Sequence, residues 1–197
     1  MKDIPWSLAV ALILIPTCAI TQSQMAPSKV VKGSRRWTVS IKKDPTEDTV
    51  ETSFTLPSND ATARLSIRCT GNWKFGDGHR GIAREFAVIT NKYIAPNSWM
   101  TIRMDEDEPM HKKSTISTNY KAMFLEDQGG MRSWYENTMH AAFPDELTDF
   151  AVFIPQLLAA KRALVKLEIF QSSERVWTFS PAGADADRIT KTCGLQQ

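Results

Sequence analysis

From Trp37 to Phe179 the chain keeps returning to a two-residue rhythm of apolar and polar side chains, interrupted by short turns. Successive side chains of a strand point to opposite faces, so this period describes strands buried on one side. Trp37-Thr38-Val39-Ser40-Ile41 is the first such stretch. Asp44-Pro45-Thr46-Glu47-Asp48 then turns the chain, because proline fixes its own φ and drives the preceding residue out of the helical region. Residues 50–56 follow as a second strand, with Val50, Thr52, Phe54 and Leu56 on one face. Residues 63–69 make a third, where Leu65, Ile67 and Cys69 share a face and aim the Cys69 sulfur at the core. Residues 86–90, 100–104, 112–117, 121–125, 164–170 and 175–179 supply the remaining strands. Asp105 to Pro109 and Ser172-Ser173 are turns.

Two stretches change period. Phe150, Phe153, Ile154, Leu157 and Leu158 recur at helical spacing, with Asp149 or Thr148 placed to cap. Pro155 falls inside that pattern, so the expectation is a helix beginning near it rather than running through it. Residues 181–192 read as a short terminal helix, and Gly194 follows Cys193 where a helix commonly ends. Many short strands with one inserted and one terminal helix predict an α+β domain, mainly β, with an antiparallel sandwich-like architecture. No internal repeat or second boundary divides residues 37–197, which read as one domain.

The N-terminus carries a different signal. Lys2 precedes the apolar run Leu8 to Ile15, Pro16 breaks it, and small or polar residues follow to Ser23. That order is a secretory signal over residues 1–23, with cleavage after Ala19 or Ser23; an uncleaved anchor or a buried helix is the competing reading. The apolar run is too short to span a bilayer, so no membrane span is expected after signal removal. Residues 24–36 form a flexible lead-in. Cys18 lies inside the signal, and Ile15-Pro16-Thr17 before it lack the small residue that favours lipidation of a cysteine. The mature chain keeps Cys69 and Cys193. An even count in an oxidising compartment points to a bridge between them, with two unpaired buried thiols as the alternative. The expected location is periplasmic or secreted.

Composition narrows the function classes. The chain is 42% hydrophobic and 23% charged, which argues against extensive disorder. Its net charge of +2 is too small and too dispersed for a nucleic-acid binder.

The order of several motifs carries a resemblance: the strand Trp37-Thr38-Val39-Ser40, then Asp44-Pro45-x-x-Asp48, Arg68-Cys69, Ser117-Thr118-Asn119-Tyr120-Lys121-Ala122, Trp177-Thr178-Phe179 with Gly183, and a closing Cys193-Gly194. Over residues 37–194 the chain resembles the exported bacterial proteins of the type VI secretion-associated TagO/VasI group. The resemblance implies a periplasmic β domain bridged by Cys69 and Cys193, an accessory rather than catalytic role, and no cofactor. The glycine-rich stretch 71–81 and the segment 126–145 depart from that pattern.

No arrangement of residues announces catalysis. Asp105-Glu106-Asp107-Glu108 is the densest acidic run, but it lacks the alternating ligands and glycine of a calcium loop and reads as a solvated turn. His79, His111 and His140 are scattered, without partners at zinc-ligand spacing. Asp77 and His79 lie two apart in the glycine-rich turn, as polar loop residues often do. No metal site, cofactor or catalytic residue is assigned. The aromatics are the remaining lead. Trp37 and Trp177 alternate within strands and belong to the core, whereas Trp73, Trp99, Trp134 and Tyr135 sit in or beside loops. Exposed tryptophan and tyrosine bury large areas at low entropic cost and anchor binding surfaces; the competing reading has these loops fold back over the sheet ends. The expectation is a non-enzymatic envelope accessory protein that binds another envelope protein through loops 71–81 and 126–145, with Trp73, Trp134 and Tyr135 as contact residues. The alternative is a peptidoglycan or glycan binder or hydrolase that stacks sugars on loop aromatics.

Overall fold

The computed structural model describes residues 31–32, 37–76, 78–127, 149–183 and 185–195. The expected export signal with Cys18, nearly all of the expected lead-in, Asp77, and Trp134, Tyr135 and His140 lie outside these residues.

In chain order the strands are β1 (Val31–Lys32), β2 (Thr38–Asp44), β3 (Thr49–Pro57), β4 (Ala63–Lys74), β5 (Arg80–Thr90), β6 (Trp99–Met104), β7 (Met110–Lys113), β8 (Thr115–Ile116) and β9 (Ala122–Glu126). Helix α1 (Phe150–Ala159), strands β10 (Ala163–Glu168) and β11 (Glu174–Phe179), and helix α2 (Ala186–Thr192) follow. The first sheet runs β1-β2-β3-β4-β5-β9-β8 and the second β11-β10-β6-β7. Every pairing within both sheets is antiparallel. This is the expected mainly-β, two-sheet domain. One residue pair of the expected lead-in already belongs to it, since Val31 pairs with Val39.

The two-residue period works as read. Leu65, Ile67 and Cys69 of β4, Met100, Ile102 and Met104 of β6, and Val165 and Leu167 of β10 all enter one core, which gathers side chains from both sheets and both helices. Thr52, Phe54 and Leu56 of β3 are buried too, but Val50 is exposed at the outer end of that strand. Trp37 and Trp177 are buried, and each finds a partner for its indole N–H, Trp37 on the Pro181 carbonyl and Trp177 on the Thr62 hydroxyl. Buried indoles need such an acceptor, and here both bonds tie the first sheet to the strand or tail of the second.

Helix α1 differs from expectation. Asp149 caps it, its carboxylate accepting from the Ala151 N–H at 2.9 Å, and the helix runs through Pro155. Proline costs a helix interior about 3 kcal/mol. Phe150, Phe153 and Ile154 before it and Leu157 and Leu158 after it are all buried, each contributing roughly 1.5–3 kcal/mol, so burial on both sides outweighs the break. Phe153 meets Phe86 of β5 edge to face at 5.0 Å, seating α1 on the first sheet.

Helix α2 begins at Ala186, later than expected, and ends as read. Gly194 lies in the left-handed region at φ 60°; its N–H donates to the Lys191 carbonyl and the Leu195 N–H donates to that of Thr190. This paired closure satisfies carbonyls the last turn would leave open. Beside it, Cys193 is bonded to Cys69 across 124 residues, with their Cα atoms 5.3 Å apart.

Candidate functional site

The glycine-rich stretch 71–81 is not a long turn. β4 continues to Lys74, β5 starts at Arg80, and only residues 75–79 turn the chain. Glycine and aromatic residues mixed together give no clean alternation, yet the two strands continue a pairing already anchored in the sheet. The pairing slips by one residue between Thr70 and Trp73. Such a bulge shifts the facing of the residues beyond it. Trp73 therefore stands out at 46% exposure although it shares parity with buried Cys69. β3 accompanies β4 only to Gly71, and β9 accompanies β5 only from Glu85. Beyond those points the two strands form an arm with no strand alongside them among the described residues. Phe75 stacks on His79 at 4.5 Å across the tip. A Cβ on Gly81 would approach the Phe75 ring to 3.1 Å, so glycine lets that ring lie down on the arm.

At the root of the arm, on the outer face of the first sheet, Arg68 bonds Glu85 and lies 3.5 Å from Glu51. Burial works against the Arg68 charge, but the two carboxylates outweigh it and hold the guanidinium above its ordinary pKa. Both acids face the same cation.

The opposite end of the sheets carries a second surface. Three connections meet there: residues 91–98 between β5 and β6, residues 117–121 between β8 and β9, and residues 169–173 between β10 and β11. Their backbones are laced together. The Ile94 N–H donates to the Tyr120 carbonyl (2.7 Å), the Phe170 N–H to Tyr93 (2.8 Å) and the Ala95 N–H to Glu168 (2.9 Å). Ile94 also bridges Ile169. On this laced base Tyr93, Trp99, Tyr120 and Phe170 are 57%, 47%, 46% and 52% exposed.

Three shallow cavities run between these rings. The first, of about 700 Å³, is lined by Trp99 and Tyr120 together with Asn97, Ser98, Ser117 and Thr118. The second, of about 410 Å³, lies among Tyr93, Ile94, Pro96, Tyr120 and Phe170. The third, of about 660 Å³, continues from Tyr93 and Phe170 to Lys92 and Arg175. Pro96 and Tyr120 are common to the first two, Tyr93 and Phe170 to the last two, so the cavities form one groove. Lys121 lies 5.1 Å from the Tyr93 ring centre, a cation over an aromatic face.

The acidic run 105–108 sits in the β6–β7 turn. The Asp105 carboxylate accepts from the Lys161 and Arg162 N–H groups at 3.1 and 2.8 Å, and Glu106 pairs with Arg162. Its Asp105 end is a structural tie between turns. Among the described residues no three His, Cys, Asp or Glu side chains converge as a metal site, and no helix is long and apolar enough to cross a membrane. Trp73 lies on the arm, while Trp134 and Tyr135 fall outside the described residues. Tyr93, Tyr120 and Phe170 were not among the residues expected to bind. Trp99 and Phe170 did carry a signal: each is an aromatic out of phase with the buried set of its own segment. Tyr93 and Tyr120 carried none, since no local pattern tells that their loops meet.

No protein-family model, no curated protein and no solved structure matches the chain.

Proposed function

We propose that this is a non-enzymatic accessory protein of the bacterial envelope, which works by binding another envelope protein through the β4–β5 arm. The observation that carries the reading is the position of Trp73, half exposed on a pair of strands that outruns both neighbours. A hairpin of this kind offers a partner backbone edges that no described strand covers, as well as an aromatic anchor. Glu51 and Glu85 at the root of the arm are both engaged with Arg68, which favours a contact surface over acid–base chemistry there. The expected export signal and the resemblance to the secretion-associated group agree with an accessory role, and the Cys69–Cys193 bridge suits an oxidising compartment.

A photocrosslinking amino acid at position 73, with one at exposed Val152 of α1 as control, tests this in living cells. A discrete protein adduct from position 73 and not from 152 is the expected result. Equal labelling from both positions, or none from 73 in folded, oxidised protein, would overturn it.

A further inference from the structure

The geometry points to a second binding site at the far end of the sheets, a groove over Trp99, Tyr120, Tyr93 and Phe170 that takes an uncharged, extended oligosaccharide strand. It is separate from the arm. β5 alone is 11 residues long, so the two surfaces stand roughly 35 Å apart, and neither depends on the other.

Four observations carry it. The groove is continuous: three cavities share their aromatic walls, so a ligand that fills it must lie extended across several rings. Its largest cavity offers rings and neutral hydrogen-bonding groups together, the exposed Asn97 amide and Thr118 hydroxyl beside Trp99 and Tyr120, with no Asp, Glu, Lys or Arg among the described residues of its lining. That lining suits a ligand with apolar C–H faces and hydroxyl edges. A sugar ring has both: its C–H face lies on the negative face of an aromatic ring while its hydroxyls reach flanking donors and acceptors. The loops beneath the rings are also fixed. The Tyr120, Tyr93 and Glu168 carbonyls all accept from neighbouring loops, so little backbone ordering entropy remains to be lost on binding.

The fourth observation is strain. Tyr120 adopts the left-handed backbone conformation at φ 56°. Asn97, at φ 62°, lies in the same cavity wall, but asparagine tolerates this region and a bulky aromatic does not. The Tyr120 ring stays half exposed, so packing does not explain why the position holds a tyrosine. Strain of this kind is found where a side chain must be presented. Glycine at this position would relieve the backbone and remove the ring.

The test is titration calorimetry of the exported, oxidised protein with chitohexaose and with cellohexaose, two uncharged extended hexasaccharides, for wild type, Trp99→Ala and Tyr120→Gly. Saturable binding of at least one sugar is expected, weakened tenfold or more in both variants, while Tyr120→Gly melts at or above the wild-type temperature. A preference for chitohexaose would indicate an N-acetylated, wall-type strand, and a preference for cellohexaose an unacetylated glucan; either supports the site. No saturable binding of either sugar at millimolar concentration overturns it, as does binding that both variants leave unchanged. Crosslinking from position 73 reads the arm alone, so either surface can fail without the other.

Discussion

The Arg84 guanidinium meets the Asp127 carboxylate at 2.7 Å, and its other nitrogens donate to the Cys193 and Gly194 carbonyls at 2.6 and 3.1 Å. One side chain of β5 thus holds the end of α2. Asp127 is itself buried, and its second oxygen lies 3.4 Å from the Phe150 N–H at the start of α1. Both helices are attached to the first sheet through this pair, a few residues from the disulfide.

Removing one partner deprives the other charge of its ion pair in a largely buried place. Arg84→Met or Asp127→Leu should each cost about 3 kcal/mol, the low end for a buried pair because Arg84 keeps some solvent contact. The double variant should cost clearly less than the sum of the two, since no orphaned charge remains. Urea denaturation of all four proteins measures this, and additive losses would mean that the pair does not act as a unit.

Opening the disulfide releases a loop of 124 residues. In the chain-entropy account a loop of that length is worth roughly 5 kcal/mol, a third or more of the about 5–15 kcal/mol that stabilises an ordinary domain. Cys69→Ala with Cys193→Ala should therefore leave a protein that unfolds at much lower denaturant. An unchanged denaturation midpoint would show that the reduced chain is already restrained by other means.

Asp60 accepts hydrogen bonds from the Ser58 hydroxyl (2.6 Å), the Thr62 N–H (3.1 Å) and the Thr62 hydroxyl (2.8 Å), and Arg175 lies at 3.1 Å. The Ser58 bond, then those of Thr62, with a smaller share from Arg175, hold its pKa well below the ordinary 3.8. The folded value lies below the unfolded one, so the unfolded chain takes up the proton first as pH falls. The Asp60 contribution to stability is intact above about pH 4 and is lost as the pH drops from there toward the folded value. Asp60→Asn should flatten the acid limb of a melting-temperature profile below pH 4 and leave its slope near neutrality alone. An acid limb of unchanged slope would assign that loss to other carboxylates.

Gly194 closes α2 in a conformation that a side chain resists, and a Cβ there would come within 2.9 Å of the Ile82 Cδ1 atom. Gly194→Ala should lower stability by about 1–2 kcal/mol from the left-handed backbone alone, with any rearrangement of Ile82 adding to it. Measured relative to Ile82→Ala alone, Gly194→Ala should lose the backbone part and not the additional part. No loss in that background would assign the effect to crowding rather than to the backbone.

The elements with a clear period are legible in the sequence. β4, β6, β10 and β11 follow from alternation, because a strand with one wet face must alternate, and α1 follows from apolar residues at helical spacing around a capping aspartate. The Cys69–Cys193 bond follows from counting. Features without a local signature are not legible. The arm reads as a turn because its strands face little core, and the bulge that exposes Trp73 obeys no composition rule. Propensity starts α1 near Pro155 because it counts the missing N–H and not the five apolar side chains whose burial exceeds its cost. Local pattern thus determined which segments became strands or helix and which side of each faced inward. Tertiary structure alone decided that Tyr93, Tyr120 and Phe170 share one groove, because backbone hydrogen bonds between three distant loops brought them together, and those bonds depend on strand order, which no short stretch of sequence encodes.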